Sequence, residues 1–171
     1  GNPALADFHM GSDAQGGDRT GDAERPTDSV AAGGRGALGA ASRPGETGVV
    51  CGPGAGGGFA WQCAQLCGPS RILAGDRVDH RRARAAELGA EPIDASDGNA
   101  VAKIHAATGG RGAQAVIEAV GSEQTISDAL MCAAPGATVS VVGGHMTFAR
   151  PFPVPVALVK RHTVPVPLPA T

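Results

Sequence analysis

The chain contains no tyrosine, one tryptophan, four phenylalanines and only two lysines beside 12 arginines. Lacking interleaved basic and aromatic residues, and with a net charge of −2, it is expected to offer no surface for nucleic acid. No run of 18 apolar residues occurs, so no membrane-spanning helix is expected. The residues after Gly1 show no basic segment leading into an apolar stretch, so no secretory leader is expected and the location is read as cytoplasmic. Cys51, Cys63, Cys67 and Cys132 form no C-x-x-C pair, which argues against a disulfide framework or a zinc knuckle. Large apolar side chains are scarce as well. Val, Leu, Ile and Phe together make 32 of the 171 residues, and Ala supplies another 32. That share lies near the level at which a core becomes hard to order, but the near-neutral charge lacks the signature of a disordered chain.

Glycine, in contrast, is abundant. Sixteen of the 27 glycines fall in residues 1–58. Residues 1–27 carry no sustained period and read as an irregular N-terminal segment, while residues 28–171 read as one domain. Residues 28–47 are rich in Ala and Gly and suit a loose helix ending at Pro44 and Gly45, a pair made for a tight turn.

Beyond that turn the pattern is regular. Gly48–Cys51 is a short apolar run followed by glycines, and Phe59, Cys63, Leu66 and Cys67 then recur at helical spacing. Gly68 and Pro69 stop that helix, and RILA from Arg71 reads as a strand. Val78–Leu88 reads as a helix capped by Gly89, Ile93 marks a short strand, and the Asp97-Gly98-Asn99 turn precedes a helix carrying Val101 and Ile104. AVIEAV is a nearly all-apolar strand, expected to be buried on both faces. Ser122 caps a helix with Ile126, Ala129, Leu130 and Ala133 on one face, which Pro135-Gly136 is expected to end. TVSVVG follows as a further strand, and Pro165 and Pro167 in the tail permit only an edge strand. Strands and helices alternating through short turns imply an α/β fold, a doubly wound parallel sheet of about six strands.

The most informative stretch is VVCGPGAGGGFAWQ. Gly52, Gly54 and Gly57 satisfy G-x-G-x-x-G directly after a strand and directly before a helix. The first glycine allows the sharp turn, the second admits a pyrophosphate to the backbone, and the third lets helix and strand pack closely. Unpaired N–H groups and the positive helix end would hold the phosphates. RILAGD ends in Asp76, 24 residues after Gly52, near the spacing expected of the acid that binds adenosine ribose hydroxyls. A carboxylate there repels a 2′-phosphate, so Asp76 favours NAD over NADP, and Arg77, Arg81 and Arg82 nearby soften that preference. The bland alternative for Asp76 is a surface acid after a strand. A P-loop is excluded because no Gly-Lys-Ser/Thr follows the glycines.

Taken together, RPGET, GPGAGG, AQLCGPSRILAGD, the D-x-x-x-x-R of Asp76 and Arg81, AAELGAEPID, TGGRGAQAVIEAVG and PGATVSVVGGH resemble the cofactor-binding half of zinc-type medium-chain alcohol dehydrogenases. The resemblance runs from about Asp28 to the C-terminus, in the family's order and spacing. It implies a Rossmann domain for residues 28–171, with residues 1–27 bordering a catalytic domain. It further implies that Val120 and Gly121 border the adenosine side of the cofactor, that Val142 and Gly143 line its nicotinamide end, and that Arg81 reaches the ribose. The activity implied is hydride transfer between an alcohol or polyol and NAD, with zinc polarising the substrate oxygen only in a full-length enzyme. A homo-oligomer paired through the last strand is implied as well.

Asp28, 24 residues before Gly52, matches the place where some members put a zinc ligand. In the family the other ligands, a Cys and a His-Glu pair, come from a separate N-terminal domain. One carboxylate cannot hold zinc, and a helix cap or solvated acid is the alternative for Asp28. No catalytic residue is identified in the chain. Cys63 and Cys67 read as small core residues, and His9, His80, His105, His145 and His162 show no ligand spacing. Departures from the family pattern fall at Gly56, Gly58, Phe59 and Gln114, with Phe59 expected to crowd the helix–sheet contact. Two other readings stand beside the dehydrogenase: a non-catalytic dinucleotide-binding module or truncated remnant, and a methyltransferase, which the length of the resemblance disfavours. A short-chain dehydrogenase is excluded, since its chemistry needs a tyrosine.

Overall fold

A computed structural model describes residues 42–66, 68–143, 154–160 and 162–164, together with Gly34, Ala37, Leu38 and Ala40. The segment 1–27, Asp28, Cys67, His145, Pro165 and Pro167 lie outside the described residues. The elements run β1 (Thr47–Cys51), α1 (Ala55–Leu66), β2 (Arg71–Asp76), α2 (Asp79–Glu87), β3 (Glu91–Asp94), α3 (Ala100–Ala107), β4 (Ala113–Glu118), α4 (Glu123–Cys132), β5 (Ala133–Val141) and α5 (Val154–Val159). The sheet has five strands in the order β3-β2-β1-β4-β5, all parallel. Parallel neighbours need crossover connections, and the helices supply them. The expected sixth strand is reduced, among the described residues, to one parallel bridge between Thr138 and Thr163.

Strand residues alternate between two cores, as a period of two requires. Val49, Leu73, Val116 and Val139 face α3 and α4, where Ile104, Ile126 and Leu130 cover them. Val50, Ile72, Ala74, Ala115 and Ile117 face the other way, toward Ala60, Trp61 and Ala64 of α1 and Ala85 of α2. Ala37 and Ala40, helical residues ahead of the Pro44-Gly45 turn, are buried in that second core. Gln114, one of the departures from the family pattern, accepts the Thr47 N–H at 2.9 Å and so ties the start of β1 to β4.

Two expectations are corrected. The buried face of α1 is Gly57, Ala60, Trp61 and Ala64, whereas Leu66 is 87% exposed and Phe59 and Cys63 are half-buried. Phe59 is thus turned partly outward, and the small residues take the sheet contact because they let the helix lie close. The second correction concerns α4. Its cap is as expected, with Ser122 Oγ accepting the Thr125 N–H at 3.1 Å. It ends at Cys132, however, and Pro135-Gly136 lies inside β5 at an irregularity where Ala113 pairs with Ala133 but Ala115 with Thr138. The helix can stop early because the Lys160 ammonium donates to the Met131 carbonyl at 2.7 Å and to Ala133 at 2.9 Å, satisfying groups that the turn would otherwise orphan.

Candidate functional site

The strand order reverses between β1 and β4, and ligands of open α/β sheets bind beyond the carboxyl ends of strands at that switch point. The glycine loop lies there, between the end of β1 and the start of α1. Gly52 has φ +81°, and its N–H donates to the Gly75 carbonyl at 2.8 Å, which pins the loop to the end of β2. A β-carbon on Gly52 would run into the Val120 side chain, and one on Gly57 would overlap the Gly52 carbonyl oxygen. Both positions therefore admit glycine alone, for the reasons of turn and close packing anticipated from the motif. A β-carbon on Gly54 would lie 3.7 Å from the Arg81 guanidinium, so the loop and Arg81 are neighbours.

Asp76 closes β2 with its side chain only 6% exposed. Its Oδ1 accepts the Val78 N–H at 2.8 Å, which bends the chain into α2, and its Oδ2 lies 3.8 Å from Arg81 Nη1. Arg81 itself is half exposed, so this pair contributes little to stability. Arg82 is engaged differently. It donates to the Asp76 carbonyl at 2.9 Å, pairs with Asp79, and reaches Asp94 at 3.1 Å, joining β2, α2 and β3. Its guanidinium is occupied by these partners, so of the three arginines near Asp76 only Arg77 and Arg81 line the adjoining cleft.

That cleft, of about 640 Å³, runs from the end of β1 over the ends of β2 and β3 to α3 and α4. Gly52, Asp76, Arg81 and Val120 are on its wall. Gly54, Gly57, Gly121, Val142 and Gly143 are not; they lie in the glycine loop, in α1 or in the loops after β4 and β5. On the β3 side, Asp97 is held down to about 2 by the Lys103 ammonium at 2.9 Å and by the Asn99 N–H, so it remains a carboxylate beside the cleft at neutral pH. Cys51 behaves oppositely. A hydrogen bond with Cys132, then burial, then the negative charge of Glu118 and Asp128 push its thiol well above the ordinary range. At neutral pH it stays protonated, a small core group rather than a nucleophile.

The residue that sequence reasoning missed is Glu118, fully buried at the end of β4. Its Oε1 accepts the N–H groups of Val120 and Gly121, both at 2.9 Å, and the Thr125 hydroxyl at 2.8 Å, while Oε2 also accepts from Gly121 at 3.1 Å. Its backbone carbonyl receives the N–H groups of Val142 at 2.8 Å and Gly143 at 3.2 Å. The signal was available as the one acid in AVIEAV, since a charge inside an otherwise apolar strand needs partners. For zinc the outcome is negative: among the described residues no three of His, Cys, Asp or Glu are grouped to hold a metal ion. These residues do not fit a zinc site, and Asp28 lies outside them.

Comparison with known proteins agrees with this geometry. Residues 56–166 match the family model described as zinc-binding dehydrogenase. The chain is 46% identical over 129 residues to a protein of Mycobacterium tuberculosis named as a probable zinc-binding alcohol dehydrogenase, covering 75% of this chain and 32% of that protein. An alcohol dehydrogenase of Cupriavidus necator is 37% identical over 117 residues, covering 68% of this chain and 32% of its own length. Among solved structures, the alcohol dehydrogenase of Thermus sp. ATN1 superposes with a TM-score of 0.76 at 39% identity, over 83% of this chain and 41% of that one. The chain thus spans about a third of the curated relatives it matches. With the parallel sheet, the glycine loop at its switch point and these matches in agreement, the chain belongs to the zinc-binding dehydrogenase family, within the medium-chain alcohol dehydrogenases.

Proposed function

We propose that the chain is the NAD-binding domain of a zinc-type alcohol or polyol dehydrogenase. The observation that supports this most is the convergence of Gly52, Asp76, Arg81 and Val120 on one cleft at the switch point of the sheet. In this reading the glycine loop and the start of α1 receive the pyrophosphate, Asp76 accepts the ribose hydroxyls, and Arg81 closes over the ribose from the half-exposed side. Val120 and Gly121 then border the adenosine side, and Val142 and Gly143 line the nicotinamide end. The bound NAD supplies the hydride acceptor, and this chain's part is to orient it. The alcohol substrate, a zinc ion held largely by other residues, and a homo-oligomer belong to the full-length enzyme in the same proposal, as does its cytoplasmic location.

Calorimetric titration of the 171-residue chain with NAD and with NADP tests the assignment. NAD is expected to bind and NADP to bind more weakly. Asp76→Ala should lower NAD affinity by about tenfold or more, the loss of hydrogen bonds to a charged group, and narrow the gap between the cofactors. No heat from either cofactor with the unsubstituted chain would sink the reading. A second reading is a dinucleotide-binding module without turnover. The two part on zinc-dependent alcohol oxidation, which this chain by itself is not expected to show.

A further inference from the structure

The four positions flanking the cofactor path after β4 and β5 all depend on one side chain and its peptide group. Val120 and Gly121 donate to the Glu118 carboxylate, and Val142 and Gly143 donate to the Glu118 carbonyl. The loops also touch each other. A β-carbon on Gly143 would run into the Gly121 backbone, and one on Gly52 into Val120, so the glycine loop, the β4 loop and the β5 loop form one contact chain. A carboxylate with no solvent exposure is costly unless its lone pairs are filled, and here N–H and O–H donors fill them. Thr125 completes the set from α4 while also serving its helix cap, which couples the start of that helix to the same oxygen.

We propose, resting on the NAD reading above, that Glu118 is the positioning residue of the cofactor site. Its buried carboxylate holds the β4 loop at the height where Val120 meets Gly52, and its carbonyl holds the β5 loop against Gly121. The adenosine side and the nicotinamide side are thereby set at a fixed separation, and the dinucleotide is recognised as one unit rather than as two halves. Arg81 borders the glycine-loop end of this contact chain, beside Gly54, and of the positions that Glu118 holds an adenosine fragment would meet Val120 and Gly121 but not the β5 loop. Such a fragment should therefore be less sensitive to Glu118 than the whole dinucleotide.

The test is Glu118→Gln in the full chain. The glutamine keeps one acceptor oxygen but turns an NH2 group toward the Gly121 N–H, where Oε2 now accepts. NAD affinity should fall about tenfold, while AMP affinity should change less than about twofold. Hydrogen exchange at the Val120 and Gly121 amides of the ligand-free chain should accelerate relative to the rest of β4. A merely structural role would weaken AMP and NAD in equal proportion. That result, or NAD binding equal to the unsubstituted chain, overturns the inference. If the unsubstituted chain binds no NAD, the functional reading fails by itself, and exchange at the two amides still decides: unchanged rates overturn the positioning role. A Glu118→Gln chain that does not fold leaves the decision to Thr125→Val. Removing this one donor should weaken NAD about threefold more than AMP, and an equal effect on both overturns the inference.

Discussion

Both faces of the sheet carry branched strand residues, but α3 and α4 cover theirs with large aliphatic side chains whereas α1 and α2 cover theirs mainly with alanine. Toward α3 and α4 the core is built from Val49, Leu73, Ile104, Val116, Ile126, Leu130 and Val139. Toward α1 and α2 the strands supply Val50, Ile72 and Ile117, while the helices supply Ala60, Ala64, Ala85 and one large residue, Trp61, which is 2% exposed. The difference follows from the glycine loop. Gly57 rests against the Gly52 carbonyl, so α1 approaches the sheet too closely for branched side chains, and Ala60 and Ala64 continue that close approach. Loop geometry at one end of a helix therefore sets the packing chemistry along its length. Trp61 fills what volume remains, and among the described residues its buried indole N–H meets no hydrogen-bond partner.

Truncation should separate the faces most strongly. Trp61→Ala should cost ~3–5 kcal/mol, since the alanines beside it on the covering helices cannot fill the space it leaves. Leu130→Ala should cost ~2–5 kcal/mol, toward the lower end because large aliphatic neighbours surround it and can relax into the space. Urea denaturation monitors both, and a smaller loss for Trp61→Ala than for Leu130→Ala would contradict the account of the alanine face.

Enlargement should give an effect of lesser size with the same ranking. Ala64→Leu should destabilise by ~1–3 kcal/mol by pushing α1 off the sheet, and should weaken NAD binding with it. Ala129→Val, against the aliphatic core, should be milder and leave NAD binding alone. Equal effects on cofactor affinity would break the link between helix approach and the loop.

The smallest effect expected is on the pH dependence. Cys51 packs against the aliphatic core, and its folded-state thiol is raised. Its contribution to stability is therefore fully present below the unfolded thiol value of about 8.5 and is lost as pH rises beyond it. Cys51→Ala should flatten that alkaline loss in thermal unfolding profiles. Asp97, lowered to about 2, works in the other direction: its contribution is present above about 4 and disappears as pH falls toward 2. Asp97→Asn should remove the acid slope, and an unchanged slope would show that other carboxylates carry it.

Much of the site was legible because its geometry is local. Gly52, Gly54, Gly57 and Asp76 occupy positions set by a strand, a turn and a helix in direct succession, and spacing alone places them at one edge of a parallel sheet. Ser122 was legible for the same reason, as a cap satisfies the chain within three residues. The buried face of α1 was misread because hydrophobicity predicts Phe59 and Leu66 inward, while steric closeness selects glycine and alanine. The end of α4 was misread at Pro135 because Lys160, distant in sequence, supplies the donor that lets the helix stop at Cys132.

By itself, then, the sequence determined the alternation of strands and helices, the glycine turn and the acid beyond the second strand, since each depends on neighbours within a few residues. The tertiary structure alone decided that Arg82 is committed to Asp79 and Asp94, that alanine covers one face, and that Glu118 is buried where the two loops meet. Those outcomes depend on which groups are brought within hydrogen-bond or van der Waals reach when distant segments pack. That is a property of the closed fold, and no stretch of the chain expresses it locally.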